Sequence, residues 1–147
     1  MIVRHTGVLI TGRPGTGKSM AAINLALHGA VVVCDELVRI HKSDDGTIVG
    51  EPVKSPALIE VRGLGIFRLQ DLFPTATAEH CAIDVVVELD RYDADLDVGR
   101  TEPETDHVDF FGTSVPRFRA PIANGVRADT LVEMIVRIFK TNGMIRY

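Results

Sequence analysis

Two apolar runs lie on either side of a polar, glycine-containing segment near the start of the chain. Residues 7–11 have the length and composition of a buried strand, and residues 20–27 show the pattern of a helix. Gly29 predicts the end of that helix, and residues 30–34 form a second buried strand. Because a strand, a helix and a strand follow one another, we expect a right-handed crossover between two parallel strands.

The middle of the chain predicts more strands than helices. Asp45 and Gly46 separate two strand-like runs, and an Asp-Gly pair in that position is typical of a hairpin turn. Residues 90–109 are acidic and weakly patterned, which predicts an exposed loop. Strands are predicted at residues 38–42, 47–49, 58–61 and 82–89, of which the last is the longest.

The C-terminal part predicts one more strand and one more helix. Pro116 and Pro121 confine the strand at residues 118–122 to a sheet edge, because proline cannot donate a ladder hydrogen bond. Residues 128–140 predict a helix that Gly143 closes. Its apolar face comprises Leu131, Ile135, Ile138 and Phe139. The mixture of elements indicates an α/β domain.

Length and composition favour one globular domain over residues 1–147, with 46% hydrophobic and 24% charged residues. No apolar run is long enough to cross a bilayer, and the N-terminus lacks a signal-peptide pattern. Cys34 and Cys81 lie in apolar stretches and are typical of buried thiols in a reducing compartment. We therefore expect a cytoplasmic protein without a membrane partner. The net charge of −4 argues against a broad nucleic-acid surface.

The polar segment after the first strand matches the phosphate-binding pattern G-x-x-x-x-G-K-[ST] at every fixed position. This glycine loop consists of Gly12, Arg13, Pro14, Gly15, Thr16, Gly17, Lys18 and Ser19. Backbone N–H groups in such a loop, with the N-terminus of the following helix, surround the phosphates of a nucleotide. Lys18 is expected to reach the β- and γ-phosphates, and the Ser19 hydroxyl to bind Mg²⁺. The chain is therefore predicted to bind a nucleoside triphosphate.

Asp35 and Glu36 follow directly after the second apolar run. In proteins with this loop, an acidic residue at such a strand end faces the metal and the transferred phosphate. A second carboxylate beside it can accept a proton from an attacking hydroxyl. The alternative is an ordinary solvated pair at a strand end, and the glycine loop favours the functional interpretation.

The glycine loop and two further segments carry a resemblance to a known family. Residues 7–12, the loop and Glu60-Val61-Arg62-Gly63-Leu64-Gly65 together resemble the C-terminal catalytic domain of HPr kinase/phosphorylase, most firmly over residues 7–66. This bacterial enzyme uses ATP to phosphorylate a serine of the phosphocarrier HPr in the regulation of carbon metabolism. The resemblance implies a P-loop fold of the type shared with phosphoenolpyruvate carboxykinase, a mixed sheet with flanking helices, and a hexamer in relatives.

The resemblance also implies how ATP and Mg²⁺ would be held. Lys18 corresponds to the family's loop lysine, and Ser19 corresponds to the hydroxyl that binds the metal. Asp35 and Glu60 would complete the protein's share of the metal site. The phosphate acceptor would be an HPr-like phosphocarrier or another protein, whose identity the residues leave open.

The family places a pair of aspartates where this chain has Asp35 and Glu36. The second of the pair accepts the proton of the serine hydroxyl, so that role falls on Glu36. Arg100 matches, by spacing, an arginine that reaches the phosphoryl group; a solvated arginine is the alternative. Arg62 would contact phosphate or brace the loop, and we favour bracing.

Several departures from the family are visible. Glu36 is one methylene longer than aspartate, and a shift on the order of 1 Å costs about a hundredfold in rate. Relatives carry an N-terminal domain and a histidine on a strand before the loop strand. We expect neither in residues 1–147, and His5 does not match that histidine. Of a proline and a glycine-arginine-asparagine trio linked to dephosphorylation, Pro121 and Gly125 alone are present, which argues against phosphorylase activity.

We therefore expect an ATP- and Mg²⁺-dependent serine protein kinase. Two alternatives stay open. One is a nucleotide-binding regulatory protein that has lost phosphate transfer, which the departures favour. The other is a small-molecule kinase, which ranks last because no cluster of arginines follows the first helix to hold a small anionic substrate.

Overall fold

The computed structural model describes residues 1–141, and no helix among them is long and apolar enough to cross a bilayer. The strands in that range are β1 (Ile2–Val3), β2 (Thr6–Gly12), β3 (Val38–Lys42), β4 (Ile48–Pro52), β5 (Leu58–Val61), β6 (Gly65–Arg68), β7 (Cys81–Ala82), β8 (Val85–Arg91), β9 (Thr105–Phe110) and β10 (Thr113–Ile122). The helices are α1 (Lys18–Leu27), α2 (Leu69–Leu72), α3 (Ala94–Asp97) and α4 (Ala128–Thr141).

Five strands form the central sheet in the order β1-β2-β8-β10-β9. The strands β2, β8 and β10 are parallel, whereas β1 and β9 pair antiparallel at the two edges. Val85 and Val87 of β8 face one side of the sheet and pack with Leu25 of α1 and Val132 of α4. Val86 faces the opposite side, where the sheet β3-β4-β7 covers it. The result is a three-layer α/β domain, in agreement with the predicted α/β class and mixed sheet.

The local elements are confirmed where short-range patterns specify them. The helix α1, the hairpin β3–β4, the strand β5 and the helix α4 all occur where they are predicted. Gly29 adopts a φ of +94° immediately after α1, as expected of a residue that ends a helix. The predicted helix stop at Gly143 lies outside the described residues. Both cysteines are free thiols, as expected; Cys81 is buried as predicted, whereas Cys34 is half-buried.

The predicted crossover from α1 to a parallel strand at residues 30–34 is wrong. Val31 makes an isolated antiparallel bridge to Ile2, and Val32 makes an isolated parallel bridge to Thr77. The parallel neighbour of β2 is β8, which occupies the position beside it in the central sheet. Val32 is nevertheless completely buried. The apolar run at residues 30–34 therefore indicates a buried segment and not a strand of the central sheet.

The assignments after residue 90 need correction as well. Residues 90–109 are not one exposed loop, because they contain the end of β8, the helix α3 and most of β9. The longest strand is β10, and it lies between β8 and β9 and not at an edge. Pro116 faces β9 alone and Pro121 faces β8 alone, so each proline falls where β10 has one neighbouring strand.

Candidate active site

The glycine loop leaves the carboxyl end of β2 and turns directly into α1. Gly12 has a φ of +142°, and a Cβ atom there would lie 2.4 Å from the carbonyl oxygen of Leu89 in the neighbouring strand. Gly17 precedes α1 with a φ of +92°. Both positions therefore require glycine. The hydroxyl of Thr16 donates to the carbonyl oxygen of Arg13 at 2.8 Å and closes the loop on itself.

The ammonium group of Lys18 lies over the loop. It donates to the carbonyl oxygens of Gly12 at 2.8 Å and Arg13 at 3.0 Å. The N–H groups in the first turn of α1 have no carbonyl partners within the helix, as at every helix N-terminus. Positive charge and free N–H donors therefore converge at the same point, which is the arrangement that binds a phosphate.

Ser19 and Asp35 meet at the edge of this loop. The Ser19 hydroxyl donates to Asp35 Oδ2 at 3.0 Å. Burial raises the pKa of Asp35, and the negative charges of Glu36 and Glu60 raise it further, whereas Ser19 and Lys18 oppose the shift. The Asp35 carboxylate is thus half-buried among other carboxylates, in a position where an added cation would stabilise it.

A cavity of about 260 Å³ opens between the loop and the hairpin β5–β6. Lys18 and Ser19 line it from α1, and Glu60 and Arg62 line it from the hairpin. Glu36 is exposed at the bend that carries Asp35. The structure thus places Lys18, Ser19 and Glu60, which are all predicted for phosphate or metal binding, around one space.

The oxygen atoms around this cavity fit a magnesium ion. Within residues 1–141, no three histidine, cysteine or carboxylate side chains converge in a ready-made metal cage. Mg²⁺ does not need one, because it commonly takes one or two protein oxygens and fills its other positions with phosphate oxygens and water. The hydrogen-bonded pair of Ser19 and Asp35 supplies two such hard oxygen ligands, and Glu60 lies at the same cavity.

A second cavity, of about 600 Å³, lies on the other flank of the glycine loop. Arg13 and Thr16 line it from the loop, and Asp90 and Arg119 line it from the central sheet. The Arg119 guanidinium donates to Asp90 at 2.9 Å and to Asp97 at 2.6 Å. The sequence analysis missed Arg119. One signal in the sequence pointed to it: the segment after β8 is rich in acidic residues, and such a segment packs against a sheet more readily when an arginine pairs with it.

Arg100 is not brought to the loop. It forms an ion pair with Glu104 at 3.1 Å and donates to the carbonyl oxygen of Leu96 at 3.3 Å. It therefore lies on the segment between α3 and β9, and it lines neither of the two cavities beside the loop. His5 lies in the turn between β1 and β2, and Arg127 pairs with Asp129 at the start of α4.

The amino-acid sequence was compared with family models and with curated proteins, and both comparisons found relatives. A family model described as the HPr serine kinase C-terminal domain matches residues 1–146. The HPr kinase/phosphorylase of Geobacillus kaustophilus is 35% identical over 94% of this chain and 45% of its own length. That of Pediococcus pentosaceus is 33% identical over the same shares of the two chains. The chain thus spans about half the length of the curated relatives it matches.

The fold is also similar to a solved structure. The Hpr(Ser) kinase/phosphatase from Coxiella burnetii superimposes with a TM-score of 0.82 at 23% sequence identity. The match covers 96% of this chain and 87% of that chain. At this identity the likeness establishes the fold.

Proposed function

The chain belongs to the HPr serine kinase C-terminal domain family, and we propose from this that it is the catalytic domain of an ATP- and Mg²⁺-dependent serine protein kinase. Its acceptor is a phosphocarrier similar to HPr, and residues 1–147 act as one domain of the P-loop type found in phosphoenolpyruvate carboxykinase. The observation that carries the proposal is the hydrogen bond of 3.0 Å between Ser19 and Asp35, directly beside Lys18 in the glycine loop. The proposal also includes that the protein is cytoplasmic and that it assembles into an oligomer.

The glycine loop binds the triphosphate in this proposal. The N–H groups at the start of α1 hold phosphate oxygens, and Lys18 exchanges its present carbonyl partners for the β- and γ-phosphates. Its charge offsets the negative charge that spreads over the γ-phosphoryl oxygens during transfer. Arg62 lines the same cavity and supports the glycine loop from the hairpin β5–β6.

Ser19, Asp35 and Glu60 hold the metal ion, directly or through water. When bound, Mg²⁺ would neutralise the negative charge of the phosphate oxygens. Without it, Asp35 keeps the raised pKa that burial and the neighbouring carboxylates impose. The ionised Asp35 that magnesium requires is therefore favoured when the cation arrives.

Glu36 accepts the proton of the acceptor serine. Its exposed position beside Asp35 leaves it accessible to a protein substrate. The serine oxygen attacks the γ-phosphorus, the bond from that phosphorus to the bridging oxygen breaks, and ADP leaves. Phosphoserine forms, and the proton passes to the Glu36 carboxylate. Arg100 would supply a second cation at the phosphoryl group only after leaving its ion pair with Glu104, because it lines neither cavity beside the loop.

Transfer of labelled phosphate tests the proposal. The purified chain is incubated with γ-³²P-ATP, Mg²⁺ and a purified HPr phosphocarrier, and labelled phosphoserine is quantified. Lys18→Met is expected to reduce transfer by about 10²–10³-fold, the loss typical of removing one group that stabilises transition-state charge. Lys42→Met, a lysine of β3 that bonds the carbonyl oxygen of Phe111, is the matched control and is expected to match the parent.

Two results would contradict the proposal. Binding of MgATP with no labelled protein, in the presence of HPr or of a cell lysate, would support a regulatory nucleotide-binding protein. Label found in small molecules alone would support a small-molecule kinase.

A further inference from the structure

The two cavities beside the glycine loop differ in size and in chemistry. The cavity on the hairpin flank measures about 260 Å³ and contains Lys18, Ser19 and Glu60, which the proposed function assigns to phosphate and metal. The cavity on the other flank measures about 600 Å³. Small-molecule sites typically measure about 300–1,000 Å³, so the larger cavity has the size of a binding site. The proposed function leaves it without an occupant.

The glycine loop separates the two cavities and contributes residues to both. Gly17 lines the smaller cavity, whereas Pro14 and Thr16 line the larger one. A triphosphate held on the loop therefore has one cavity on each side. Because Ser19 and Asp35 place the metal and the terminal phosphate on the hairpin flank, the opposite end of the nucleotide is expected to point to the larger cavity. That end carries the nucleoside.

Tyr92 provides an aromatic wall of the larger cavity. The residue is 41% exposed, although an aromatic side chain of its size is usually more deeply buried. Leu96, which is 56% exposed, and Pro14 line the same cavity. An exposed ring of this kind suits a nucleotide base, because stacking on an aromatic side chain requires only the flat face that every base has. None of the described residues that line the smaller cavity is aromatic.

The backbone of Tyr92 is fixed at the carboxyl ends of two parallel strands. Its N–H donates to the carbonyl oxygen of Ile122, the last residue of β10, at 3.1 Å. The carbonyl oxygen of Arg91, the last residue of β8, accepts from Arg119 at 3.1 Å. The half-exposed ring is therefore carried by a rigid support. The crevice at the carboxyl ends of parallel strands is also where open α/β sheets commonly bind their ligands.

We propose that the cavity lined by Tyr92, Leu96 and Pro14 holds the nucleoside of the bound nucleotide, with the Tyr92 ring stacked on the base. This inference rests on the proposed kinase function, because it takes the triphosphate to lie on the glycine loop. Arg119 supports the wall of the cavity and does not bind the base, since its guanidinium is already bonded to Asp90 and Asp97.

Calorimetric titration with ligands that have or lack a nucleoside tests the proposal. The ligands are MgATP and magnesium tripolyphosphate. Tyr92→Ala is expected to weaken the binding of MgATP by about 5- to 100-fold, the loss typical of removing one base-stacking side chain. The same substitution is expected to change the affinity for tripolyphosphate by less than about twofold, because that ligand leaves the cavity empty. Tyr92→Phe keeps the ring and is expected to bind both ligands as the parent does.

Phe111→Ala is the matched control. Phe111 is an aromatic residue that is 62% exposed, and it lies in the turn between β9 and β10, at the opposite end of β10 from the cavity. The control is expected to bind both ligands as the parent does. Thermal unfolding shows which variants fold, and Tyr92→Leu replaces Tyr92→Ala if the latter does not.

Photolabelling with 8-azido-ATP locates the base independently of affinity and of catalysis. The labelled peptide is identified by mass spectrometry, with excess ATP as the competitor. Label is expected within residues 91–96. Label confined to the hairpin β5–β6 would place the base on the other flank of the loop and overturn the proposal.

The outcomes separate the nucleoside cavity from the function on which it rests. Equal losses for MgATP and tripolyphosphate in Tyr92→Ala, or no loss for either, would overturn the cavity assignment and leave phosphate transfer to HPr unaffected as a proposal. A loss confined to MgATP, in a chain that transfers no phosphate to HPr, would support the cavity and refute the kinase proposal. A parent chain that does not bind MgATP would refute both.

Discussion

The two flanks of the glycine loop shift the pKa of an aspartate in opposite directions: that of Asp35 is raised on one flank, and those of Asp90 and Asp97 are lowered on the other. On the flank facing the hairpin β5–β6, Asp35 is half-buried near Glu36 and Glu60, and its pKa is raised chiefly by burial. On the flank facing β10, Asp90 and Asp97 bind Arg119, whose hydrogen bonds lower the pKa of both. The same residue type therefore gains a proton more readily on one flank and loses it more readily on the other.

The direction of the pKa shift distinguishes carboxylates that stabilise the fold from carboxylates that are available to bind a ligand. A carboxylate bound to a buried arginine has its partner within the protein and needs nothing further. A half-buried carboxylate beside others of the same charge destabilises the unliganded protein, and such sites are typical of function. Asp97 thus belongs to the structure, whereas Asp35 is placed for a cation.

Among variants that change one carboxylate, the largest effect is expected from Glu36 on the hairpin flank. Glu36→Gln removes the proton acceptor and is expected to lower transfer to HPr by about 10²-fold or more, within the range of general-base catalysis. Affinity for MgATP should change little, because Glu36 does not bind the nucleotide in the proposal. Glu79→Gln, an exposed glutamate elsewhere, is the control. Transfer by Glu36→Gln at the parental rate would remove Glu36 from the mechanism.

Asp97→Asn is expected to show that the β10 flank is structural. The substitution leaves the buried Arg119 without one of its anionic partners, so the melting temperature should fall on the order of 5 °C. Differential scanning calorimetry without nucleotide measures the change. Asp106→Asn, which weakens the surface pair with Arg117, is the control and should shift the melting temperature much less. An unchanged melting temperature in Asp97→Asn would contradict this assignment.

Asp35→Asn is expected to give a smaller change of opposite sign. Asparagine can still accept the Ser19 hydrogen bond and removes the charge that burial disfavours. The melting temperature of the unliganded chain should therefore rise, by about 2 °C at neutral pH. A fall of the same size would mean that the Asp35 charge stabilises the fold, and the distinction between the two flanks would be lost.

The pH dependence of these two variants provides the finest test of the comparison. The folded pKa of Asp97 lies below its unfolded value, so its contribution is present above about pH 4 and is lost as the pH falls through the folded pKa. The folded pKa of Asp35 lies above its unfolded value, so its ionisation lowers stability as the pH rises from about 4 through that folded pKa. Melting temperatures from pH 3 to 8 should show the deficit of Asp97→Asn shrinking in acid. The gain of Asp35→Asn should grow as the pH rises.

The hairpin flank could be predicted from the sequence because short-range rules specify it. The glycine loop, the strand before it and the helix after it are contiguous in the chain, and positive φ angles at Gly12 and Gly17 are a local requirement. Asp35 accepts a hydrogen bond from Ser19 even though the strand expected before it did not form. The segment before Asp35 is held by the burial of Val32 and Val33. It is also held by backbone hydrogen bonds of Val31 to Ile2 and of Val32 to Ala76 and Ala78, and the next residues lie at the loop.

The β10 flank could not be predicted in the same way. Arg119 and Asp97 are 22 residues apart in the chain, and Arg119 and Asp90 are 29 apart. No local pattern links an arginine on a strand to acidic residues in an earlier segment that looks like a solvated loop. The pairing becomes visible when β10 lies between β8 and β9, and that order was missed because Pro116 and Pro121 indicated an edge strand.

The central claim is that Ser19 and Asp35 form the magnesium side of a phosphate-transfer site. Calorimetric titration of ADP with and without Mg²⁺ tests it most directly, in the parent chain and in Asp35→Asn. Magnesium is expected to tighten ADP binding in the parent, and Asp35→Asn is expected to lose about 10- to 100-fold in that magnesium-dependent affinity while binding metal-free ADP as the parent does. An equal effect of magnesium in both proteins would contradict the claim.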